Sequence, residues 1–102
     1  MVGDLLWQDG GIFDKIHAEF GRAVDKHGFD LTPANPRMNP LAKFVILAEE
    51  VGEVARSLTY DEGNAENLKT ELIQVATMAA VWAASLEDRN SSDVDEDSML
   101  LP

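Results

Sequence analysis

The sequence contains no cysteine, which excludes disulfide bonds and thiolate metal sites. It also has no uncharged apolar run of roughly 18 residues, the length that a membrane-spanning helix requires. The first residues, MVGDLLWQDGG, lack the basic and apolar regions of a signal peptide. These absences lead us to expect a cytoplasmic protein without a membrane partner.

Basic residues are also scarce. Eight lysines and arginines stand against nineteen acidic residues, and the formal net charge is −11. Such a chain repels the phosphate backbone of nucleic acids, so we expect no nucleic-acid partner. An acidic protein that binds phosphate groups needs a cation between its carboxylates and the ligand.

Apolar periodicity and capping residues predict three main helices. They cover Ile12–His27, Pro40 to about Thr59, and Ala65 to about Glu87. Asn39 and Asn64 supply N-caps for the second and third helices. Because only a short turn separates these two helices, they should be antiparallel. The segment 29–39 has two prolines and no apolar period, so it should form an ordered or semi-rigid connector.

The third predicted helix has an unusually apolar surface, with no charged residue between Glu71 and Glu87. A helix that is apolar nearly all round is buried on several sides, and one short chain cannot easily cover it. We therefore predict an all-α antiparallel bundle of three main helices completed by oligomerisation, as a homodimer or homotetramer. In the alternative arrangement, the N-terminal residues Leu5, Leu6 and Trp7 fold back over this helix.

The sequence divides into one predicted domain and a C-terminal tail. Residues 1–88 are predicted to form one helical domain, in which Phe13, Phe20 and Phe44 belong to the core. Residues 89–102 are rich in serine and acidic residues, and we expect them to form a disordered tail.

Five polar side chains form the most informative pattern. Glu49, Glu50 and Glu53 share one arc of the second helix, and Glu71 and Gln74 repeat the spacing of Glu50 and Glu53 on the third. Position 62 lies nine residues from both Glu53 and Glu71, and twelve from both Glu50 and Gln74. In an antiparallel hairpin the two pairs therefore lie at the same height. Helix rotation decides whether they face each other, and the alternative interpretation is a solvated polar face.

Carboxylates that lie close together repel one another unless a cation lies between them. The ligands here are oxygens without histidine or cysteine, which favours Mg²⁺ or Mn²⁺ over zinc or iron. Magnesium held by a few side chains keeps open positions for substrate phosphates. Phosphate hydrolysis is the chemistry that this pattern predicts.

The motif Glu49-Glu50-x-x-Glu53, followed by Glu71-x-x-Gln74, resembles the signature of the all-alpha nucleoside triphosphate pyrophosphatases, the MazG-like superfamily. The resemblance covers about residues 41–86. It implies a Mg²⁺-dependent enzyme that converts a (d)NTP to a (d)NMP and pyrophosphate, with a role in nucleotide-pool house-cleaning. By position in the motif, it implies that Glu50, Glu53 and Glu71 bind the metal and that Glu49 orients water or a ligand.

Gln74 departs from the motif, which usually has aspartate at this position. An amide oxygen is a weaker ligand for a hard cation, so the substitution predicts lower metal affinity, fewer bound ions or altered activity. The departure favours an alternative function, a non-catalytic or weakly active helical association module. Another alternative within the enzyme class is a phosphoribosyl-ATP pyrophosphatase.

A triphosphate also needs basic side chains to balance charge that magnesium does not. Those nearest the motif in sequence are Arg37, Lys43 and Lys69, which we take as candidate substrate-binding residues; each could also be an ordinary solvated residue. Met78 and Trp82 could border a base pocket, although their helical spacing favours core or subunit contacts.

Overall fold

The computed structural model describes residues 1–60 and 64–91, and this part of the chain is helical without any strand. Its elements are α1 (Val2–Trp7), α2 (Ile12–His27), a short 3-10 helix (Phe29–Leu31), α3 (Pro40–Thr59) and α4 (Ala65–Ser91). None of the described helices is long and apolar enough to span a membrane.

The predicted bounds of α2 and α3 are confirmed, and so is the start of α4. Asn39 Oδ1 accepts a hydrogen bond from Leu41 N at 2.7 Å, and Asn64 Oδ1 caps α4 in the same way. Helix α2 ends at Gly28, whose positive φ of 85° suits a residue without a Cβ.

Two parts of the chain differ from the prediction. Helix α4 continues to Ser91, four residues beyond the predicted end, so residues 89–91 are helical; the rest of the predicted tail, 92–102, lies outside the described residues. The short helix α1 was not predicted. It packs on α2, where the Trp7 and Phe13 rings meet edge to face at 4.6 Å, and it does not cover α4. The alternative in which Leu5, Leu6 and Trp7 fold over the third helix is therefore wrong.

The connector between α2 and α3 is ordered by local hydrogen bonds. Thr32 Oγ1 donates to Phe29 O at 2.8 Å, and Asn35 Nδ2 donates to Asp30 O at 3.0 Å. Thr32 and Pro33 are buried. The proline-containing segment thus leads from α2 to α3 along a fixed path.

Helix α4 is the central element. It packs against α2 on one side and against α3 on another, whereas α2 and α3 do not pack against each other. Helices α3 and α4 are antiparallel, as predicted, because the start of α3 lies beside the end of α4: Lys43 Nζ donates to Ser85 Oγ at 2.6 Å. A gap between α2 and α3 therefore opens above α4.

The core of the single chain is thin. Met78 is the one large apolar side chain below a tenth exposed in the described residues, at 7%. The expected core positions of Phe13 and Phe44 are wrong for the single chain, since Phe44 is 56% exposed and Phe13 is exposed as well. Phe20 is half-buried and its ring meets that of Phe29.

A row of apolar side chains along α3 remains uncovered. We call it the outer stripe of α3, and it consists of Leu41, Phe44, Ala48, Val51 and Leu58. The spacing of three, four or seven residues places these side chains on one face of the helix. The four larger ones are each at least half exposed. None of the described helices packs on this face.

Candidate functional site

The gap between α2 and α3 forms an open cleft of about 1430 Å³ with α4 at its floor. Side chains from all three helices and from the connector line it. Six acidic and three basic residues are among them, namely Glu19, Asp25, Glu49, Glu50, Glu53 and Glu71 against Arg22, Lys26 and Arg56. The cleft therefore carries a net negative charge.

Glu50, Glu71 and Gln74 meet at the floor of this cleft. The Gln74 amide lies 2.9 Å from Glu71 Oε2 and 3.1 Å from Glu50 Oε2, and we assign its nitrogen to this position because only the nitrogen can donate hydrogen bonds to the two carboxylates. The second of these distances joins α3 to α4 at the height that the equal offsets from position 62 predict. Residue 74 thus faces Glu50 across the two helices, which settles the helix rotation at this level.

Glu49 and Glu53 line the same cleft from α3, where both are exposed. Glu50, Glu71 and Gln74 are half-buried. All five residues of the predicted metal and catalytic set therefore border one space. The apolar outer stripe of α3 does not line it.

Glu19 on α2 adds a further carboxylate that sequence reasoning missed. Burial raises the pKa of the Glu50 carboxyl, and the charges of Glu71, Glu19, Glu53 and Glu49 raise it further, in that order. Glu19 therefore acts on the same electrostatic centre as the motif. Glu19 is far from the motif in sequence, so the motif could not indicate it. Only the packing of α2 on α4 brings Glu19 near Glu50.

The cluster is not a ready-made metal site. In the described residues, no three histidine, aspartate or glutamate side chains are grouped closely enough to hold a metal ion. The amide nitrogen of Gln74 instead bridges two of the carboxylates. Rotation of this amide would direct its oxygen to the same place, which would then present oxygens from both helices.

The three basic residues chosen from sequence do not line the cleft. Lys43 is only 2% exposed and donates to Ser85 Oγ, on the interface of α3 with α4. Lys69 pairs with Glu66 at 3.6 Å and borders a separate apolar depression between α2 and α4. Arg37 is exposed on the connector.

Three other basic residues line the cleft: Arg22 and Lys26 on α2, and Arg56 on α3. The Arg56 guanidinium lies over the Tyr60 ring, 5.6 Å from its centroid. Glu19, Arg22 and Lys26 follow i, i+3, i+7 spacing and so share one face of α2. Helical spacing on α2 therefore indicates these cleft residues better than proximity to the motif in sequence does.

Of the two residues considered for a base pocket, Met78 lines the cleft at its buried floor, whereas Trp82 does not line it. Trp82 is half-buried, and its carbonyl accepts a hydrogen bond from Ser85 Oγ at 2.6 Å. Leu31, Thr32 and Pro33 of the connector also line the cleft and were not identified from sequence.

Comparisons with protein-family models, curated proteins and solved structures found no match for this chain. A functional assignment therefore depends on the motif and on the geometry of the cleft.

Proposed function

We propose that this protein is a Mg²⁺-dependent nucleoside triphosphate pyrophosphohydrolase of the MazG-like type. The supporting observation is the meeting of Glu50, Glu71 and Gln74, with Glu49 and Glu53 beside them, in one cleft. Ligand sites commonly have volumes of about 300–1,000 Å³, so an open cleft of about 1430 Å³ has room for a nucleotide.

The side chains present fit a hard divalent cation. Their donors are carboxylate and amide oxygens, and mutual repulsion and burial already disfavour the ionised form of Glu50. Glu50, Glu53 and Glu71 would hold Mg²⁺ or Mn²⁺, with the Gln74 oxygen as a weaker ligand. The bound cation would neutralise charge on the phosphates and on the departing pyrophosphate.

Glu49 has a different position from the other glutamates. It borders the cleft from an exposed site on α3, so water reaches its carboxylate without opening the helix packing. In the proposed reaction, Glu49 orients a water molecule and accepts its proton as the water attacks the α-phosphorus, whose bond to the bridging oxygen of the departing pyrophosphate breaks. The products are a nucleoside monophosphate and pyrophosphate.

The proposed enzyme is a homodimer or homotetramer. The outer stripe of α3 is a continuous apolar surface, and exposed surfaces of this kind mark protein contacts. None of the five stripe residues lines the cleft, although Ala55 on the same face of α3 does, so a second copy seated on the stripe would lie at the edge of the cleft.

Incubation of the full chain with Mg²⁺ and a panel of nucleoside triphosphates, with pyrophosphate as the measured product, tests the proposal. Phosphoribosyl-ATP belongs in the panel because the motif also fits that variant of the reaction. We expect pyrophosphate release that stops in EDTA. Absence of release from every substrate would contradict the enzymatic proposal.

The second candidate is a non-catalytic helical association module. It is favoured by the Gln74 amide, which hydrogen-bonds to both Glu50 and Glu71 and thereby stabilises the pair without a cation. In this case the protein would self-associate through the outer stripe and would release no pyrophosphate. The same assay distinguishes the two candidates.

A further inference from the structure

Arg22 has a fixed guanidinium beside the carboxylate cluster. Its Nε donates to Glu19 Oε1 at 3.1 Å, and its Nη2 donates to the same oxygen. The Glu19 side chain is 12% exposed, whereas that of Arg22 is 68% exposed. The half-buried Glu19 side chain therefore orients the exposed arginine at the wall of the cleft.

Much of the guanidinium remains available. An arginine has five N–H donors, and Arg22 directs donors on two of its nitrogens at Glu19. The other N–H groups include both on Nη1, which has no protein acceptor in the described residues. A planar pair of N–H donors suits the oxygens of a phosphate group, which guanidinium groups bind in a bidentate manner.

Arg22 lines the same cleft as Glu50, Glu53 and Glu71 of the proposed cation site. Glu19, one turn earlier on α2, is close enough to Glu50 for its charge to act on that carboxyl. Lys26 follows Arg22 by one turn on the same face of α2 and also lines the cleft. The carboxylates lie on α3 and α4, so a ligand between them and Arg22 would touch both walls of the cleft.

We propose that Arg22, oriented by Glu19, binds a phosphate group of the ligand, and that Lys26 adds a second cationic contact along α2. The inference builds on the proposed function, since it identifies the side chains that hold the pyrophosphate part of the substrate. The site takes an anionic polyphosphate together with a divalent cation.

Arg56 is the other arginine in the cleft, but it has a different environment. Its guanidinium lies over the exposed ring of Tyr60, just after the end of its own helix, with no carboxylate among the hydrogen bonds and ion pairs found in the described residues. Cation–π contacts at exposed sites orient a guanidinium weakly. Arg22 is therefore the better-oriented phosphate ligand of the two.

Calorimetric titration of inorganic pyrophosphate, in the presence of Mg²⁺, into the full chain and its variants tests this assignment. Arg22→Gln should weaken pyrophosphate binding at least about tenfold, which corresponds to about 1.4 kcal/mol. Arg22→Lys retains the charge but loses the paired donors, so its affinity for pyrophosphate should lie between those of the wild type and Arg22→Gln. Lys15→Gln removes the same charge from an exposed position of α2 outside the cleft and should change the affinity less than twofold.

Titration of Mg²⁺ alone supplies a readout that a merely structural role would not produce. Arg22→Gln releases Glu19 from its ion pair, so the affinity for Mg²⁺ alone should be unchanged or higher. The affinity for pyrophosphate should instead fall. Equal pyrophosphate affinity of the wild type and both Arg22 variants would overturn the inference. If Arg22→Gln fails to fold, the pyrophosphate affinity of Arg22→Lys decides alone: a value equal to that of the wild type overturns the inference, and a lower value supports it.

The outcome can be separated from that of the proposed function. A wild type that releases pyrophosphate from nucleoside triphosphates, with Arg22 variants of unchanged affinity, refutes only the role of Arg22. A wild type that neither binds pyrophosphate nor hydrolyses any triphosphate refutes both.

Discussion

The two sides of α3 have opposite chemistry, and each differs from what a stable monomer would present. The side facing α4 and the cleft holds Glu50 and the buried Lys43, whereas the outer stripe exposes Phe44 and other apolar side chains. Packing polar groups inward and leaving apolar groups outside reduces the stability of a single chain. The arrangement is explained if the inner side serves a ligand and the outer side serves a second subunit.

The largest expected effect comes from the carboxylates of the inner side. Glu71→Gln and Glu53→Gln should each lower Mg²⁺-dependent hydrolysis by at least about a hundredfold, the upper figure for residues that merely support metal ligands. The fold should persist, because removal of one charge relieves repulsion. Rates of pyrophosphate release, with circular dichroism as the check on folding, provide the measurement.

Glu66→Gln is the matched control for these variants. Glu66 lies on α4, pairs with Lys69 and does not line the cleft, so its replacement should leave the rate unchanged. Full turnover by Glu53→Gln or Glu71→Gln would show that the cleft carboxylates are not the metal ligands.

Substitutions on the outer side of α3 should change self-association. Phe44→Glu places a charge in the outer stripe and should weaken self-association at least about tenfold, or about 1.4 kcal/mol. Val2→Glu, at an exposed apolar position on α1, is the control and should not alter association. Sedimentation at micromolar concentration measures both; a monomeric wild type would contradict the predicted oligomer.

Gln74→Asp tests how the inner side balances charge. The variant loses the amide that donates to Glu50 and Glu71 and adds a carboxylate to the cluster. We expect tighter Mg²⁺ binding and a metal-free protein that is less stable by about 1–3 kcal/mol, the cost of losing a buried hydrogen-bond partner. Calorimetric titration and melting curves in EDTA report the two effects. If neither changes, residue 74 does not act at a metal.

The raised pKa of Glu50 gives the inner side a pH dependence. Since the folded-state pKa exceeds that of the unfolded chain, the ionised carboxylate destabilises the metal-free fold at neutral pH, and this penalty disappears as the pH falls through the raised pKa. Glu50→Gln should therefore be more stable than the wild type in EDTA at pH 7, with the difference shrinking in acid. A stability difference between Glu50→Gln and the wild type that stays constant from pH 7 into acid would argue against the electrostatic cause.

The smallest effect is expected at the C-terminus. Ending the chain after Ser91 should change the free energy of unfolding by less than about 0.5 kcal/mol, because the composition of the removed segment offers little apolar surface to bury. Ser85→Ala removes an acceptor of the buried Lys43 and should cost about 1 kcal/mol. A truncation that destabilises more than Ser85→Ala would indicate that Met99, Leu100 and Leu101 contact the bundle.

The sequence was most informative where a local signal decides the structure. Asn39 and Asn64 define helix starts through their own side chains, and Gly28 defines an end through a backbone angle that other residues adopt with difficulty. The end of α4 was misplaced because charged residues such as Glu87 do not terminate a helix by themselves. The height of Gln74 opposite Glu50 followed from counting residues, since the rise of a helix is constant.

The sequence was least informative where tertiary packing decides the structure. The rotation of α3 depends on its contacts with α4, so the facing of Glu50 and Gln74 could not be derived from the pattern. Lys43 looked like a ligand-binding residue from its sequence position, but the same packing buries it against Ser85. Arg22 belongs to the cleft only because α2 packs along α4.

The absence of packing between α2 and α3 has a mechanical consequence. The width of the cleft depends on two separate helix crossings, α2 on α4 and α3 on α4, each fixed by its own side chains. Ile12 lies in the apolar depression beside Leu72 and Ala76, on the far side of α4 from the carboxylates. A change of side-chain volume there would tilt α2, and with it Arg22, without altering any group on α3. The width of the cleft and the pairing of Glu50 with residue 74 across α3 and α4 can thus vary independently in this fold.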